Sequence, residues 1–120
     1  MDLVEIFKAL GDETRIRIVN LLRKGELCVC ELESILNITQ SNASRHLNKL
    51  KQTGIIIYEK KAQWVYYKVD EKFIHQNTLL YEFLNEALEN RYEEDIKKLA
   101  HYKENTYTCE VLSLKRDDSQ

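Results

Sequence analysis

The sequence predicts a mainly α-helical fold with one small β-hairpin, and three observations carry that prediction. The 120 residues include three glycines and no proline, so few breakers interrupt helices. Apolar residues recur at three- and four-residue spacing over most of the chain. The exception is a pair of β-branched and aromatic runs, IIIYEK at 55–60 and WVYYKV at 64–69, joined by Lys61, Ala62 and Gln63, the pattern of a hairpin. A chain of this length holds one core and fits one domain, placed at residues 1–105. A polar C-terminal tail, 106–120, is expected to be mobile.

Each element follows from local chemistry. Leu3, Ile6, Phe7 and Leu10 give a first helix, which Gly11 interrupts. Asp12 is an N-cap for a second helix with Ile16, Ile18, Val19, Leu21 and Leu22, and Gly25 is its stop. CVCELESIL (28–36) makes a short helix with Leu32, Ile35 and Leu36 inward. Asn37 and Ile38 form a turn, and Thr39 caps a helix from Gln40 to Gln52 that buries Ala43, Leu47 and Leu50. After the hairpin, apolar residues from Phe73 to Leu99 predict a single helix over about 71–101, too long for so small a core to cover alone.

Composition excludes several function classes. Hydrophobic residues at 43% and charged residues at 32% indicate a soluble globular domain. No apolar run approaches the ~20 residues needed to span a bilayer, so no membrane partner is expected. The isolated glycines exclude a Gly-rich phosphate loop. The first residues carry no basic, cleavable leader, and three cysteines are an odd number, so a reduced, cytoplasmic setting is expected. The net charge of −2 conceals a basic block: residues 40–68 carry six Lys/Arg and one acid, Glu59. That is a local reason to meet a polyanion, although a small basic surface with no partner has the same pattern.

A short helix, a tight turn, a helix with a polar, basic face and then a hairpin make a winged helix–turn–helix. The segments FKALGDETRIRIVNLL (7–22), ELCVCELESILNITQSNASRHLNKLKQTGII (26–56) and WVYYKV (64–69) closely resemble the ArsR/SmtB family of winged-helix repressors, over roughly residues 3–100. ELCVCEL resembles the arsenite-responsive branch, whose metalloid site lies at the start of this helix. The resemblance implies a transcriptional repressor of arsenical resistance, not an enzyme. It implies a homodimer on double-stranded, inverted-repeat operator DNA. It requires no cofactor, and trivalent arsenic or antimony would be the inducer.

The candidate site residues follow. Gln40, Ser41, Asn42, Ser44 and Arg45 have the donor and acceptor set that reads base edges, with Arg45 the candidate for a bidentate guanine contact. His46 is ambiguous, a structural or phosphate-contacting histidine or a reader of bases. Lys49 lies on the same outer face and is also a DNA-binding candidate, and Lys60, Lys61 and Lys68, on or near the wing, are phosphate candidates or protect strand edges. Cys28 and Cys30 are soft ligands at a predicted helix N-terminus, where the thiolate is favoured. As an isolated pair they read rather as two small buried hydrophobes; it is the resemblance of ELCVCEL that implies the metalloid site. Gripping one ion with residues at i and i+2 should bend the first turn. Some relatives carry a third cysteine where this chain has Glu33; Cys109 is the remaining cysteine, which would fold back, come from the partner chain, or play no part. The zinc-sensing positions hold Glu71, Phe73, Leu84 and Ala87, which cannot make that site. The N-terminal cysteines of the cadmium/lead branch are missing. Dimerisation through the first and last helices is expected to bury Leu3, Phe7, Leu80, Leu84 and Leu88. The main rival reading is a thiol-based redox-sensing repressor using the same cysteines; a redox enzyme lacks the C-x-x-C spacing.

Overall fold

The computed structural model describes residues 2–104. The tail at 106–120 and Cys109 lie outside them.

Helix α1 (Leu3–Leu10) begins at Asp2 and α2 (Glu13–Leu22) at Asp12, each aspartate accepting a backbone N–H of the first turn. Helix α2 buries Ile18, Val19, Leu21 and Leu22. A two-residue strand, β1 (Leu27–Cys28), runs straight into α3 (Val29–Leu36). Asn37 then adopts a left-handed conformation, φ 54°, which asparagine tolerates better than most residues. That turn leads to Thr39, the N-cap of α4 (Gln40–Gln52). Helices α3 and α4 pack on one another as the helix–turn–helix.

Strands β2 (Ile56–Lys61) and β3 (Trp64–Val69) form the wing, with Lys61 opposite Trp64 at its tip. The sheet is antiparallel, in the order β1-β3-β2. Strand β1 was not anticipated. It pairs Leu27 with Tyr67 and Cys28 with Tyr66, so the start of α3 is fastened to the wing.

The single long helix expected over 71–101 is three helices: α5 (Glu71–Gln76), α6 (Thr78–Leu88) and α7 (Glu93–Glu104). Asn77 breaks the first junction by leaving helical dihedrals, and its side-chain amide donates to the Phe73 carbonyl. At the second junction Asn90 and Tyr92 take positive φ, 63° and 53°. The chain reverses there, and α7 packs on α2 and α3. Arg17 fastens it by gripping the buried Asp95 carboxylate at 2.8 and 2.9 Å. Lys98 Nζ donates to the Ile35 carbonyl at the end of α3. The apolar surplus of the C-terminal region is thus partly consumed within the chain: Phe73, Leu84, Leu88 and Leu99 join the core of Ile18, Leu21, Leu32, Leu47 and Leu50.

Candidate functional site

Helix α4 sets the outer face. Its apolar stripe of Ala43, Leu47 and Leu50 is buried, which points Gln40, Ser41, Asn42 and Arg45 to solvent, with Ser44 half-buried. These side chains occupy the first turns, at the positive end of the helix dipole, where a recognition helix meets DNA. Arg45 Nη2 donates to Asn42 Oδ1 at 3.5 Å.

His46 does not share that face. It is 5% exposed, with Nδ1 3.3 Å from Arg15 Nη1 and Nε2 3.4 Å from Arg45 Nη2. As the helix turns, residue 46 falls beside Ala43, Leu47 and Leu50 rather than on the outer face with Gln40, Ser41, Asn42 and Arg45. Arg15, which the sequence did not single out, braces it from α2.

The basic candidates divide. Lys49 Nζ is held by Glu5 of α1 at 3.2 Å, and Lys61 at the wing tip pairs with Glu26 and lies over the Tyr66 ring. Lys60 is exposed and has no ion pair among the described residues. It is therefore the wing cation best placed for a phosphate. Tyr58 stacks obliquely on Tyr67, centroids 6.0 Å apart, and Lys51 Nζ of α4 lies over the Tyr58 ring, 4.8 Å from its centroid. Tyr67 is half-buried and packs the hairpin against the core. Lys60→Ala is expected to weaken binding to all DNA sequences alike and flatten the salt slope by about one. Lys61→Ala should do less, because Lys61 must exchange Glu26 for the phosphate. Salt-dependent anisotropy on specific and random duplexes checks both.

The thiol pair sits at the β1–α3 junction. Cys28 is the N-cap of α3, extended at φ −88° and ψ 167°, 1% exposed and disulfide-bonded. Cys30 is a half-buried free thiol in the first turn. The two cysteines are therefore not both helical, as the sequence suggested: one ends a strand and the other begins the helix. Glu31 holds this junction, its carboxylate accepting the Cys28 N–H at 3.0 Å. Burial pushes the Glu31 carboxyl above its ordinary range and Glu26 adds to that, against the Cys28 amide and the Lys103 ammonium. The spacing Cys28-x-x-Glu31 matches a capping box and was the available signal for this residue. Among the described residues, no three His, Cys, Asp or Glu side chains converge as a metal site.

The expected dimer residues also divide. Leu3 and Phe7 are more than half exposed, 60% and 54%, on α1. Leu80 is half-buried. Leu84 and Leu88, at 6% and 4%, lie in their own chain's core. The open apolar face of α6 is formed by Leu79 and Phe83 instead, 82% and 63% exposed. No helix among the described residues is long and apolar enough to cross a membrane.

Comparison with known proteins agrees with this architecture. Residues 12–58, from the α2 cap to the middle of β2, match the family "Bacterial regulatory protein, arsR family". The chain is 49% identical over 65 residues to the arsenic resistance transcriptional regulator ArsR1 of Pseudomonas putida, covering 53% of this chain and 51% of the relative. It is 43% identical over 77 residues to a cadmium resistance regulatory protein CadC homolog of Staphylococcus aureus, covering 63% and 64%. The chain thus spans half to two thirds of the length of these curated relatives. Among solved structures, HlyU from Vibrio cholerae is 34% identical with a TM-score of 0.57, covering 67% of this chain and 88% of that one. The homodimeric winged helix-turn-helix domain of Mb0332 from Mycobacterium bovis is 25% identical with a TM-score of 0.60, covering 75% and 84%. With the helix–turn–helix, the wing and these similarities together, the chain belongs to the arsR family of bacterial regulatory proteins, DNA-binding transcriptional regulators and not enzymes.

Proposed function

We propose that this chain is a dimeric transcriptional repressor whose hold on operator DNA is released when trivalent arsenic or antimony binds Cys28 and Cys30. The observation that carries the reading is the place of the thiols. They bracket a junction that joins wing strand β3, through the Cys28–Tyr66 pairing, to α3, which supports α4. Thiolates suit a thiophilic centre, and a helix N-terminus favours the thiolate form. Drawing the two sulfurs onto one ion changes the angle at which β1 enters α3, and that strain passes to both DNA-contacting elements. Inducer and DNA would then favour different states of one element, which is what coupling between two sites requires. The site belongs to the reduced chain. A third thiolate would come from Cys109 or from the other protomer.

The dimer supports the same reading. Leu3, Phe7, Leu79 and Phe83 form open apolar surface on α1 and α6, the two helices left to meet a second copy. A two-fold pairing would set the recognition helices to read half-sites about one helical turn apart in an inverted repeat. Phe83→Ser is expected to weaken dimerisation by roughly tenfold, because its ring lies outside the monomer core. Sedimentation across concentration checks this, and a chain monomeric at micromolar concentration before substitution contradicts the dimer.

A second reading, a redox-sensing repressor, is favoured by one observation: Cys28 is disulfide-bonded beside the free thiol of Cys30. One experiment separates the two. The repressor–promoter complex is challenged with arsenite in the presence of excess reductant, and separately with peroxide after the reductant is removed. Release by arsenite under reductant supports metalloid sensing. Release by peroxide alone transfers the function to thiol oxidation.

A further inference from the structure

We propose that His46 is the positioning residue for base readout: its neutral ring accepts the Arg45 guanidinium at Nε2, and protonation of the ring releases it, so sequence-specific DNA binding weakens at acid pH while sequence-independent binding does not. The proposal rests on the reading of Arg45 as a base contact.

The geometry around the ring carries it. Arg45 Nη2 lies 3.4 Å from His46 Nε2 and 3.5 Å from Asn42 Oδ1, so an otherwise mobile side chain on the outer face of α4 is steadied from two sides. A free arginine has many rotamers, and a reader of bases otherwise loses that freedom on binding. The other edge of the ring is fixed. Nδ1 faces Arg15 Nη1 at 3.3 Å and Asp12 Oδ1 at 3.8 Å. Arg15 is itself anchored to the end of α1, donating to the Ala9 and Lys8 carbonyls at 2.7 and 3.2 Å. His46 therefore connects the rigid α1–α2 junction to the reading side chain.

Proton chemistry makes this connection conditional. Arginine only donates, so a ring nitrogen that receives it must hold a lone pair; a neutral imidazole has one and an imidazolium none. Both ring nitrogens face a guanidinium donor, Arg15 at Nδ1 and Arg45 at Nε2, and Asp12 Oδ1 at 3.8 Å from Nδ1 is a charge neighbour rather than a hydrogen-bond acceptor; a neutral ring has one lone pair, so holding Arg45 requires the tautomer with its proton on Nδ1. The charged groups facing the ring are Asp12 and Arg15 of α2 and Arg45 of α4. Burial is the largest influence and lowers the histidine pKa below its ordinary 6.5; Asp12 opposes this, and Arg45 and Arg15 reinforce it. At neutral pH the ring is uncharged and Arg45 is held. Below the lowered pKa an imidazolium stands between two guanidinium groups and the ring can no longer accept from Arg45. The unfolded chain takes up this proton at higher pH than the native one, so native stability also declines as pH falls through about 6.5.

The test compares affinity for promoter DNA with affinity for a scrambled duplex, from about pH 7.5 to about pH 5.5 at constant ionic strength. Near-UV circular dichroism confirms the fold at each pH. The wild-type ratio is expected to fall by about tenfold, near the low end of what one bidentate base contact contributes. In His46→Gln, whose amide oxygen accepts but does not titrate, the ratio should stay flat with pH. A flat wild-type ratio, or a His46→Gln protein that keeps the decline, overturns the proposal. Arg45→Ala should have a low ratio at every pH; if its ratio equals the wild type's, the base-reading assignment fails, a separate outcome. Nitrogen NMR of wild-type His46 gives a check free of variants. A proton on Nδ1 supports the proposal and a proton on Nε2 contradicts it.

Discussion

Cys28→Ser and Cys30→Ser proteins are expected to bind promoter DNA as the wild type does and to lose all release by arsenite. The free repressor needs the fold, whereas the inducer needs both sulfurs. Serine is close in volume, and at the N-cap position of Cys28 it is among the preferred residues, so α3 should start as well or better. Its neutral hydroxyl is a hard, poor ligand for a thiophilic centre. Promoter binding measured with and without arsenite, under reductant, gives the result directly. If either variant still releases DNA with arsenite, that cysteine is only a packing residue at the β1–α3 junction. Cys109→Ser decides the ligand count: an intact response means two thiolates suffice, and a lost one means the third comes from Cys109.

Arg45→Ala is expected to cost about 1–3 kcal/mol of specific binding and to relax one base position of the operator, with little change on random DNA. This is the opposite signature to Lys60→Ala, which should weaken all sequences alike. Arg45 can carry that role because it is exposed on the first half of α4 and steadied by Asn42 and His46. Binding to a set of promoters mutated one base pair at a time checks it. A uniform loss across the set would make Arg45 a phosphate contact.

The elements that surround the DNA-facing surface were legible because their signals are local. Asp12, Thr39, Gln52 and the hairpin strand at 64–69 fall where caps and periodicity place them. The features missed depend on partners distant in sequence. Strand β1 is two residues long and exists through its pairing with β3, about forty residues away. The reversal before α7 uses Asn90 and Tyr92 with no glycine or proline to announce it, and it is held by Arg17 and Asp95, which are 78 residues apart. Leu84 and Leu88 read as a dimer face from their spacing alone, but the core of their own chain includes them. His46 is different, because its position was readable. Residues 43, 46, 47 and 50 follow the i, i+3, i+4, i+7 spacing of a buried stripe, and the polar character of histidine masked it.

The central claim is that metalloid binding at the thiol pair and release of DNA are one event. A single titration tests it most directly: arsenite is added to the reduced repressor on fluorescent promoter DNA while sulfur–arsenic absorption and anisotropy are recorded together. The account predicts that the two signals rise and fall along one curve and that both vanish in Cys28→Ser. Thiol absorption that saturates while the DNA stays bound, or DNA that leaves with no sulfur–arsenic signal, would contradict it.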